Sequence, residues 1–261
     1  MPADKPEILT QDELDAALSA SRTFESKLFI TSLDFADVDC SDARFTGCVF
    51  EPASLHGVNF SGAQFSDCRF SGVRFASCNF VDARFAKCQL FDAEAKKGCE
   101  FSFCDLRSAE LTASNFADSS FDRCDLYEVR ASECSFRSVR FKGSRFEKAL
   151  SKKVTLTKAT FAKCNFSYAD MSGLSLKSCA LTECKFSETL FWDADLSDAV
   201  LTGSTIDRAE WDRAKLRGTD LRGASIAGLN LAVVADYAGL MISQSQQHEL
   251  LREIGVDVSP D

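Results

Sequence analysis

The sequence is poor in histidine: its 261 residues include only two, His56 and His248. So few imidazoles exclude most histidine-based metal sites and catalytic triads. The chain also lacks a Cys-x-x-Cys pair, a phosphate-binding glycine loop and any apolar run near the roughly 20 residues that a transmembrane helix needs. Its carboxylates are scattered, with no visible nucleophile–base pair. We therefore expect a protein that is not an enzyme and has no cofactor, metal site or membrane partner.

The first ten residues carry Asp4 and Glu7 and contain no apolar core of the kind found in signal peptides. The composition is 45% hydrophobic and 26% charged, with a net charge of −9, which disfavours a disordered chain. We expect a cytoplasmic protein whose thiols stay reduced.

Phenylalanine and cysteine are abundant, with 23 and 12 copies. A large apolar residue recurs at every fifth position from Phe35 to Leu90 and again from Phe101 to Leu231. These core positions carry Phe, Leu, Ile, Met or Trp at 36 of 39 sites, and they hold 19 of the 23 phenylalanines. The exceptions are Cys40, Ala131 and Ser151.

A small residue lies two positions before each core position. It is Ala, Cys, Val, Ser or Thr at 36 of the 39 sites, and 11 of the 12 cysteines occupy this class. Because Cys exchanges there with Ala and Val, we interpret the thiols as small buried packing groups rather than as zinc ligands or disulfide partners.

A period of five fits neither the 3.6-residue repeat of a helix nor the two-residue repeat of a strand. A chain that turns a corner every five residues satisfies it, since four sides then close a square coil of roughly 20 residues, stacked on the next coil at about 4.8 Å. The pattern therefore predicts an all-β solenoid of about 10 coils.

Capping signals flank this region. Thr10 and Glu13 have the spacing of a capping box, which predicts a short helix near residue 11, and Ser243 and Gln246 repeat that spacing before a stop signal at Gly255. We expect an N-terminal extension with a helical cap over residues 1–30, the solenoid over 31–234, and a C-terminal helix over 235–261 that covers the last coil or pairs with a second copy.

The period breaks twice. The register slips by one residue between Leu90 and Phe101, and Gly98 can adopt a left-handed conformation, so we expect a bulged loop there. Farther on, Ser151 takes a core position within a stretch (residues 134–163) that contains nine Lys or Arg and one acid, Glu147. This stretch is either a solvated basic girdle on the coil or a loop that leaves near Ala149 and returns near Thr160.

These features resemble the pentapeptide-repeat family, whose fold is a right-handed quadrilateral β-helix, and within it the Qnr branch of quinolone-resistance proteins. The first-loop segment of that branch resembles residues 92–99, through Asp92, Glu94, Lys97, Gly98 and Cys99. Residues 141–143 and 165–169 resemble the flanks of its second loop, whose Lys-rich interior here departs from the family pattern. Trp211 and residues 247–256 are similar to the family's end and dimerising helix.

The resemblance implies a rod-shaped homodimer, joined through its C-terminal segment, that imitates duplex DNA. It implies binding to type II topoisomerases (DNA gyrase or topoisomerase IV) and relief of quinolone poisoning. The loops would contact the enzyme, with Tyr168 as a further surface candidate. The candidate partner-binding residues are Phe91, Asp92, Glu94, Lys96, Lys97, Gly98, Lys152 and Lys153.

Charge supports DNA mimicry only in part, because residues 1–50 contain 4 basic and 10 acidic residues whereas residues 51–200 contain 20 of each. A structural or regulatory scaffold for another protein is the alternative function. Direct nucleic-acid binding, which we do not expect, would use the basic side chains of Arg137, Arg140, Lys142, Arg145, Lys152 and Lys153.

Overall fold

The chain folds into a parallel β-solenoid with four flat faces. The computed structural model describes residues 6–51, 54–151, 154–253 and 255–256. In an uninterrupted coil, each residue lies in register with the residue 20 positions later, as Phe45 does with Phe65 and Phe65 with Phe85. This arrangement confirms the quadrilateral β-helix predicted from the five-residue period.

We number the faces 1 to 4 in chain order, so that Phe65, Phe70, Phe75 and Phe80 lie on faces 1, 2, 3 and 4. Face 1 is an eight-stranded parallel sheet. Its strands are Thr23–Glu25, Arg44–Thr46, Gln64–Ser66, Arg84–Ala86, Glu110–Thr112, Arg130–Ser132, Thr160–Ala162 and Ala180–Thr182.

Faces 2 and 3 are smaller sheets, and face 4 is held by single β-bridges, such as Asp39 with Asn59 and Asn79 with Asp105. The strands of face 2 are Glu7–Ile8, Lys27–Phe29, Val49–Phe50 and Arg69–Phe70. Those of face 3 are Ser54–His56, Arg74–Ala76, Glu100–Ser102, Ser120–Asp122 and Arg140–Lys142.

The core positions fill the interior with stacked rings. Phe101 and Phe121 on face 3 stack at 4.8 Å between centroids with planes 5° apart, and Trp211 stacks on Phe191 at 4.5 Å. Rings on adjacent faces meet edge-on, as Phe65 and Phe70 do at 5.6 Å. Both geometries are favourable for aromatic pairs, so the interior gains from contacts within a face and between faces.

The small positions do more than pack. Their side chains donate hydrogen bonds to backbone carbonyls of the preceding coil, with Cys88 Sγ 3.3 Å from the oxygen of Phe65 and Ser144 Oγ 2.8 Å from that of Phe121. Thr189 donates in the same way to Phe166, at 2.8 Å. Cys, Ser and Thr therefore exchange at these sites because each is a small group with a donor, a role that the interpretation as packing groups alone did not include.

Helix α1 (Gln11–Ser19) closes the N-terminal end of the solenoid. Thr10 and Glu13 form the predicted capping box, and Leu14 is fully buried against the first coil. The parallel ladder begins within the segment predicted as an extension, since Phe24 already stacks on Phe45 at 5.0 Å.

The C-terminal end is closed by short 3₁₀ turns (Leu231–Val233 and Gln244–Gln246) and by helix α2 (Gln247–Glu253). The buried Gln246 side chain donates through Nε2 to the carbonyl oxygens of Leu221 and Ala224, at 2.7 and 2.8 Å. Gln246 thereby provides hydrogen bonds to carbonyl oxygens at the end of the solenoid that the backbone N–H groups of a further coil would otherwise provide. Across the described part of the chain, neither helix has the length and apolar character needed to cross a bilayer.

Two antiparallel hairpins interrupt the coils. Hairpin 1 pairs Phe91–Asp92 with Lys97–Gly98, and hairpin 2 pairs Glu147–Ala149 with Thr155–Thr157. Across hairpin 1 the register between coils lengthens from 20 to 26 residues (Arg84 with Glu110), and across hairpin 2 to 30 (Arg130 with Thr160).

These insertions settle the second break in favour of a projecting loop, which begins at Glu147, and they correct the register there. Ser151 and Leu156 are not core residues, because both lie outside the coil and Leu156 is 45% exposed. The solenoid has about nine turns instead of about ten, since hairpin 2 contains two positions, Ser151 and Leu156, that the count had assigned to coils.

Alkylation of the native protein should leave all twelve cysteines unmodified. All are free and buried, and burial raises the pKa of the Cys40, Cys99 and Cys179 thiols to about 12, so almost no thiolate forms at pH 8. Iodoacetamide treatment followed by intact-mass spectrometry tests this, with urea-unfolded protein as the control that takes up twelve adducts. Rapid alkylation of the native chain would contradict this prediction.

The raised pKa values also predict a pH dependence of stability. Because the thiols of Cys40, Cys99 and Cys179 have higher pKa values in the folded than in the unfolded state, the free energy of unfolding should fall as the pH rises above about 9.

Candidate partner-binding surface

The two hairpins project from diagonally opposite edges of the rod. Hairpin 1 lies between face 2, where Gln89 pairs with Arg69, and face 3, where Glu100 pairs with Arg74. Hairpin 2 lies between face 4 and face 1, about two and a half coils farther along, or about 12 Å at the usual strand spacing. A flat partner surface can therefore contact one hairpin but not both.

Asp92 shapes the turn of hairpin 1. Its Oδ1 accepts hydrogen bonds from the backbone N–H groups of Glu94 and Ala95, at 2.9 and 3.0 Å, and these bonds hold the pKa of the carboxyl below its usual value. Asp92 is half-buried, so its side chain is first of all a determinant of the loop's conformation.

Gly98 is required for a reason other than the one expected. Its φ is not left-handed, whereas Lys96 in the same hairpin has a φ of 50°. The backbone of the next coil passes directly over Gly98, so that a Cβ there would lie 2.4 Å from Ser119 N and 2.5 Å from Ala117 O. Only glycine fits beneath that turn.

Lys97 anchors hairpin 1 to the solenoid. Its Nζ lies 3.0 Å from Glu100 Oε1, and Glu100 also receives Arg74 Nε at 2.9 Å. Among the predicted contact residues of this loop, Glu94 and Lys96 are exposed without such ties and Phe91 is half-buried. The tip of hairpin 1 thus offers one acidic and one basic side chain to a partner.

Hairpin 2 is fixed at its base and apolar toward its tip. Lys148 Nζ lies 5.8 Å from the centre of the Tyr127 ring, and Lys158 Nζ lies 2.9 Å from Glu128 Oε1. Lys152 and Lys153, the weaker candidates of the sequence analysis, fall outside the described residues. The hairpin exposes three aliphatic side chains, Leu150, Val154 and Leu156, by 45 to 56%.

Among the described residues, the cations of the basic stretch (residues 134–163) form ion pairs on two faces of the rod but not on the other two. On faces 4 and 1 its cations meet carboxylates of neighbouring coils, as in Arg145–Asp125 at 2.7 Å and Lys163–Glu183 at 4.0 Å. On faces 2 and 3, the exposed Arg137, Arg140 and Lys142 make no ion pair with any described residue.

Uncompensated acidic charge gathers in the N-terminal third. Most cations there are paired, for example Arg22 with Asp39 at 3.2 Å. Exposed carboxylates without an ion pair among the described residues are Asp12, Glu13, Asp15, Glu25, Asp34, Asp37, Asp42, Glu51, Asp67 and Asp82.

The C-terminal end leaves apolar surface in contact with solvent. Leu216 N bonds to the carbonyl of Asp236, which places Tyr237 at the core position of the last coil. Tyr237 is 49% exposed because no coil follows it, and Met241 is 41% exposed. The end of the stacked core is therefore only partly covered by helix α2.

Two aromatic residues stand at corner positions, and the sequence analysis singled out only one of them. Among the described non-glycine residues with left-handed φ, Phe103 (55°) and Tyr168 (63°) are aromatic. Each carries an arginine from an adjacent coil over its ring, Arg123 at 5.1 Å and Arg137 at 4.9 Å. The sequence analysis did not identify Phe103, because this residue lies off the five-residue period and its contact with Arg123 joins residues that are 20 positions apart.

Across the described residues, no three side chains of His, Cys, Asp or Glu are grouped to hold a metal ion. In a β-solenoid whose interior is packed with side chains, the accessible surface consists of the outward positions of the coils and the two hairpins.

Family models for pentapeptide repeats match most of this solenoid. The model described as a pentapeptide repeat region matches residues 154–231, and the model of eight-copy pentapeptide repeats matches residues 34–72, 99–137 and 114–150. The chain belongs to the pentapeptide-repeat family. No curated protein sequence matches it.

Several solved structures share the fold at low identity. Full-length QnrB1, a plasmid-mediated fluoroquinolone resistance protein, is 22% identical with a TM-score of 0.63, covering 90% of this chain and 100% of its own. A trypsin-treated variant of QnrB1 gives 20% and 0.67, covering 91% and 99%. HetL, a protein from the cyanobacterium Nostoc involved in heterocyst differentiation regulation, gives 17% and 0.71, covering 89% and 94%.

Replacing Gly98 by alanine should destabilise the protein by about 1–3 kcal/mol or more, because the added Cβ overlaps backbone atoms that cannot move without opening the next coil. Urea unfolding followed by circular dichroism measures the change. Ala95→Ser, on the exposed turn of the same hairpin, is the matched control and should stay within about 0.5 kcal/mol of the parent. Equal stability of both variants would refute the close approach.

Proposed function

We propose that this protein binds a type II topoisomerase, DNA gyrase or topoisomerase IV, in the cytoplasm and protects it from quinolones. It would act by binding and not by catalysis, as a homodimer joined at its C-terminal ends. The observation that carries the proposal is hairpin 1, a projecting loop at the segment whose residues resemble the first loop of the Qnr branch.

The geometry of hairpin 1 suits a partner contact. Its base is fixed by Gly98 beneath the next coil and by the Lys97–Glu100 ion pair, while Glu94 and Lys96 reach solvent. A loop that is ordered before it binds loses little conformational freedom on docking. We infer that Glu94 and Lys96 make the direct contacts and that Asp92, Lys97 and Gly98 hold the loop in place.

The proposed DNA mimicry would reside in the N-terminal third. Duplex DNA presents a negative charge about every 1.7 Å of its axis, so a mimic needs a rod with uncompensated carboxylates. The exposed, unpaired acids of residues 6–90 supply such a surface, whereas the middle of the rod is neutral or basic. In a tail-to-tail dimer these acidic thirds would form the two outer arms.

A regulatory scaffold for a different protein is the second candidate function. HetL, which is involved in the regulation of heterocyst differentiation, superposes on this chain with a TM-score of 0.71, and the trypsin-treated QnrB1 variant does so with 0.67. The fold is therefore compatible with both functions, and only a test with the enzyme separates them.

Removing residues 92–97 should abolish protection of gyrase. This deletion takes out six residues and restores the 20-residue register between Arg84 and Glu110, so the solenoid should still fold. The measurement is gyrase supercoiling in the presence of ciprofloxacin, titrated with purified protein. A variant lacking residues 148–157 removes the ten-residue insertion of hairpin 2 and serves as the matched comparison.

The parent protein should restore supercoiling and the hairpin 1 deletion should not, with unchanged thermal unfolding. If the deletion protects as well as the parent, hairpin 1 is not the contact. If the parent itself gives no protection, the topoisomerase proposal is wrong and the scaffold function is favoured.

Tyr237→Arg should convert the protein from dimer to monomer. The side chain lies half-exposed at the open end of the core, where a second copy would cover it, and a charge buried there would oppose association. Light scattering after gel filtration should give twice 28.6 kDa for the parent and 28.6 kDa for the variant. Trp192→Arg, at an exposed aromatic on face 3, is the control and should remain dimeric. A monomeric parent would contradict the dimer.

A further inference from the structure

Two surface depressions meet in the middle of the rod, on the two faces that lie between the edges from which the hairpins project. One, of about 480 Å³, lies on face 3 over the coils that contain Ser120 and Arg140. The other, of about 520 Å³, lies on face 4 beside Phe103 and Arg123. Gly143 lines both, so they form one groove that crosses the edge between the faces.

Gly143 keeps this edge open. It has a φ of +62°, and a Cβ on it would approach Arg123 Cγ to 3.4 Å. The stem of Arg123 therefore lies against a corner that carries no side chain. The groove is lined on face 3 by three serines, whose short side chains also keep it open: Ser102, Ser120 and Ser172.

The groove carries three cations with unused binding capacity. Arg140 and Lys142 flank Phe141 on one strand, both are exposed, and neither makes an ion pair with a described residue. Arg123 reaches Asp122 only at 4.0 Å and places its guanidinium over the Phe103 ring. An exposed aromatic ring beside arginines is typical of the side chains that dominate binding energy at protein interfaces.

Carboxylates on the same surface limit the positive charge that is available to a ligand. Glu100 pairs with Arg74 and Lys97. On face 4, Arg107 and Arg145 pair with Asp105 and Asp125. The few remaining cations match one or two separate carboxylates of a protein segment better than the continuous charge of a phosphodiester backbone.

We propose that this groove binds an acidic segment of the partner protein, whose carboxylates pair with Arg140, Lys142 and Arg123 while an adjacent apolar side chain packs on Phe103. The proposal rests on the topoisomerase partnership above and adds a second contact region to it, with charge opposite to that of the N-terminal third. Charge complementarity of this kind sets both register and association rate.

The test is gyrase binding by biolayer interferometry, with the full-length chain and the double variant Arg140→Gln/Lys142→Gln. The matched control, Lys163→Gln/Lys185→Gln, removes the same charge from two exposed cations at the edge between faces 1 and 2 and on face 2, away from the groove and the hairpins. Lys185 makes no ion pair with a described residue, and Lys163 reaches Glu183 only at 4.0 Å. The groove variant should bind at least about tenfold more weakly, and the control should bind like the parent. The salt dependence of binding should decrease in the groove variant alone.

Equal affinity of the groove variant and the parent, while the hairpin 1 deletion loses binding, would overturn the groove and leave the topoisomerase proposal standing. No binding by the parent would overturn both. A gel shift with a 20-base-pair duplex is the second arm, and salt-sensitive binding that depends on Arg140 and Lys142 would assign the groove to nucleic acid instead. Matching thermal unfolding of all variants excludes misfolding as the cause.

Discussion

A backbone that turns a corner every five residues constrains every other feature of this molecule. Each side buries one large and one small side chain, and the corners take residues with a left-handed φ, most often Gly, Asp, Ser, Glu or Arg among the described residues. The parallel ladder then pairs the backbone groups of one coil with the next, and the small Cys, Ser and Thr side chains bond to the remaining carbonyl lone pairs. Because the interior is completely filled, binding is left to corners, outward positions and insertions.

The same constraint fixes where insertions can occur. A hairpin can leave the coil only at an edge, between the last buried residue of one face and the first small residue of the next, as between Phe146 and Ala159. The two hairpins depart from different edges, so each can interact with its surroundings independently. The rod therefore has two distinct projecting contacts and a groove on its side, all positioned by the core.

The sequence predicted the solenoid because its period is carried by residues of one size class, whose burial the structure confirms. It failed where a residue matched the period by chance. Leu156 has the spacing and the chemistry of a core residue, yet hairpin 2 carries it into solvent. The sequence identified Gly98 as important, but it attributed this to the backbone freedom of glycine. The actual reason is the close approach of Ser119, which depends on contact between coils and cannot be inferred from a local pattern.

The candidate surface was less predictable than the fold for a related reason. Many ion pairs and cation–π contacts join residues of neighbouring coils, about 20, 26 or 30 positions apart according to whether a hairpin intervenes. The pair of Lys158 and Glu128 can therefore be found only after hairpin 2 is placed. The charge of residues 134–163 illustrates the consequence. In the sequence it is a single basic stretch, but acids from neighbouring coils neutralise it on one half of the rod and leave it unpaired on the other. The register between coils thus decides which half of the rod remains basic. Although the core is the same along the whole rod, the charge on its surface therefore differs from face to face.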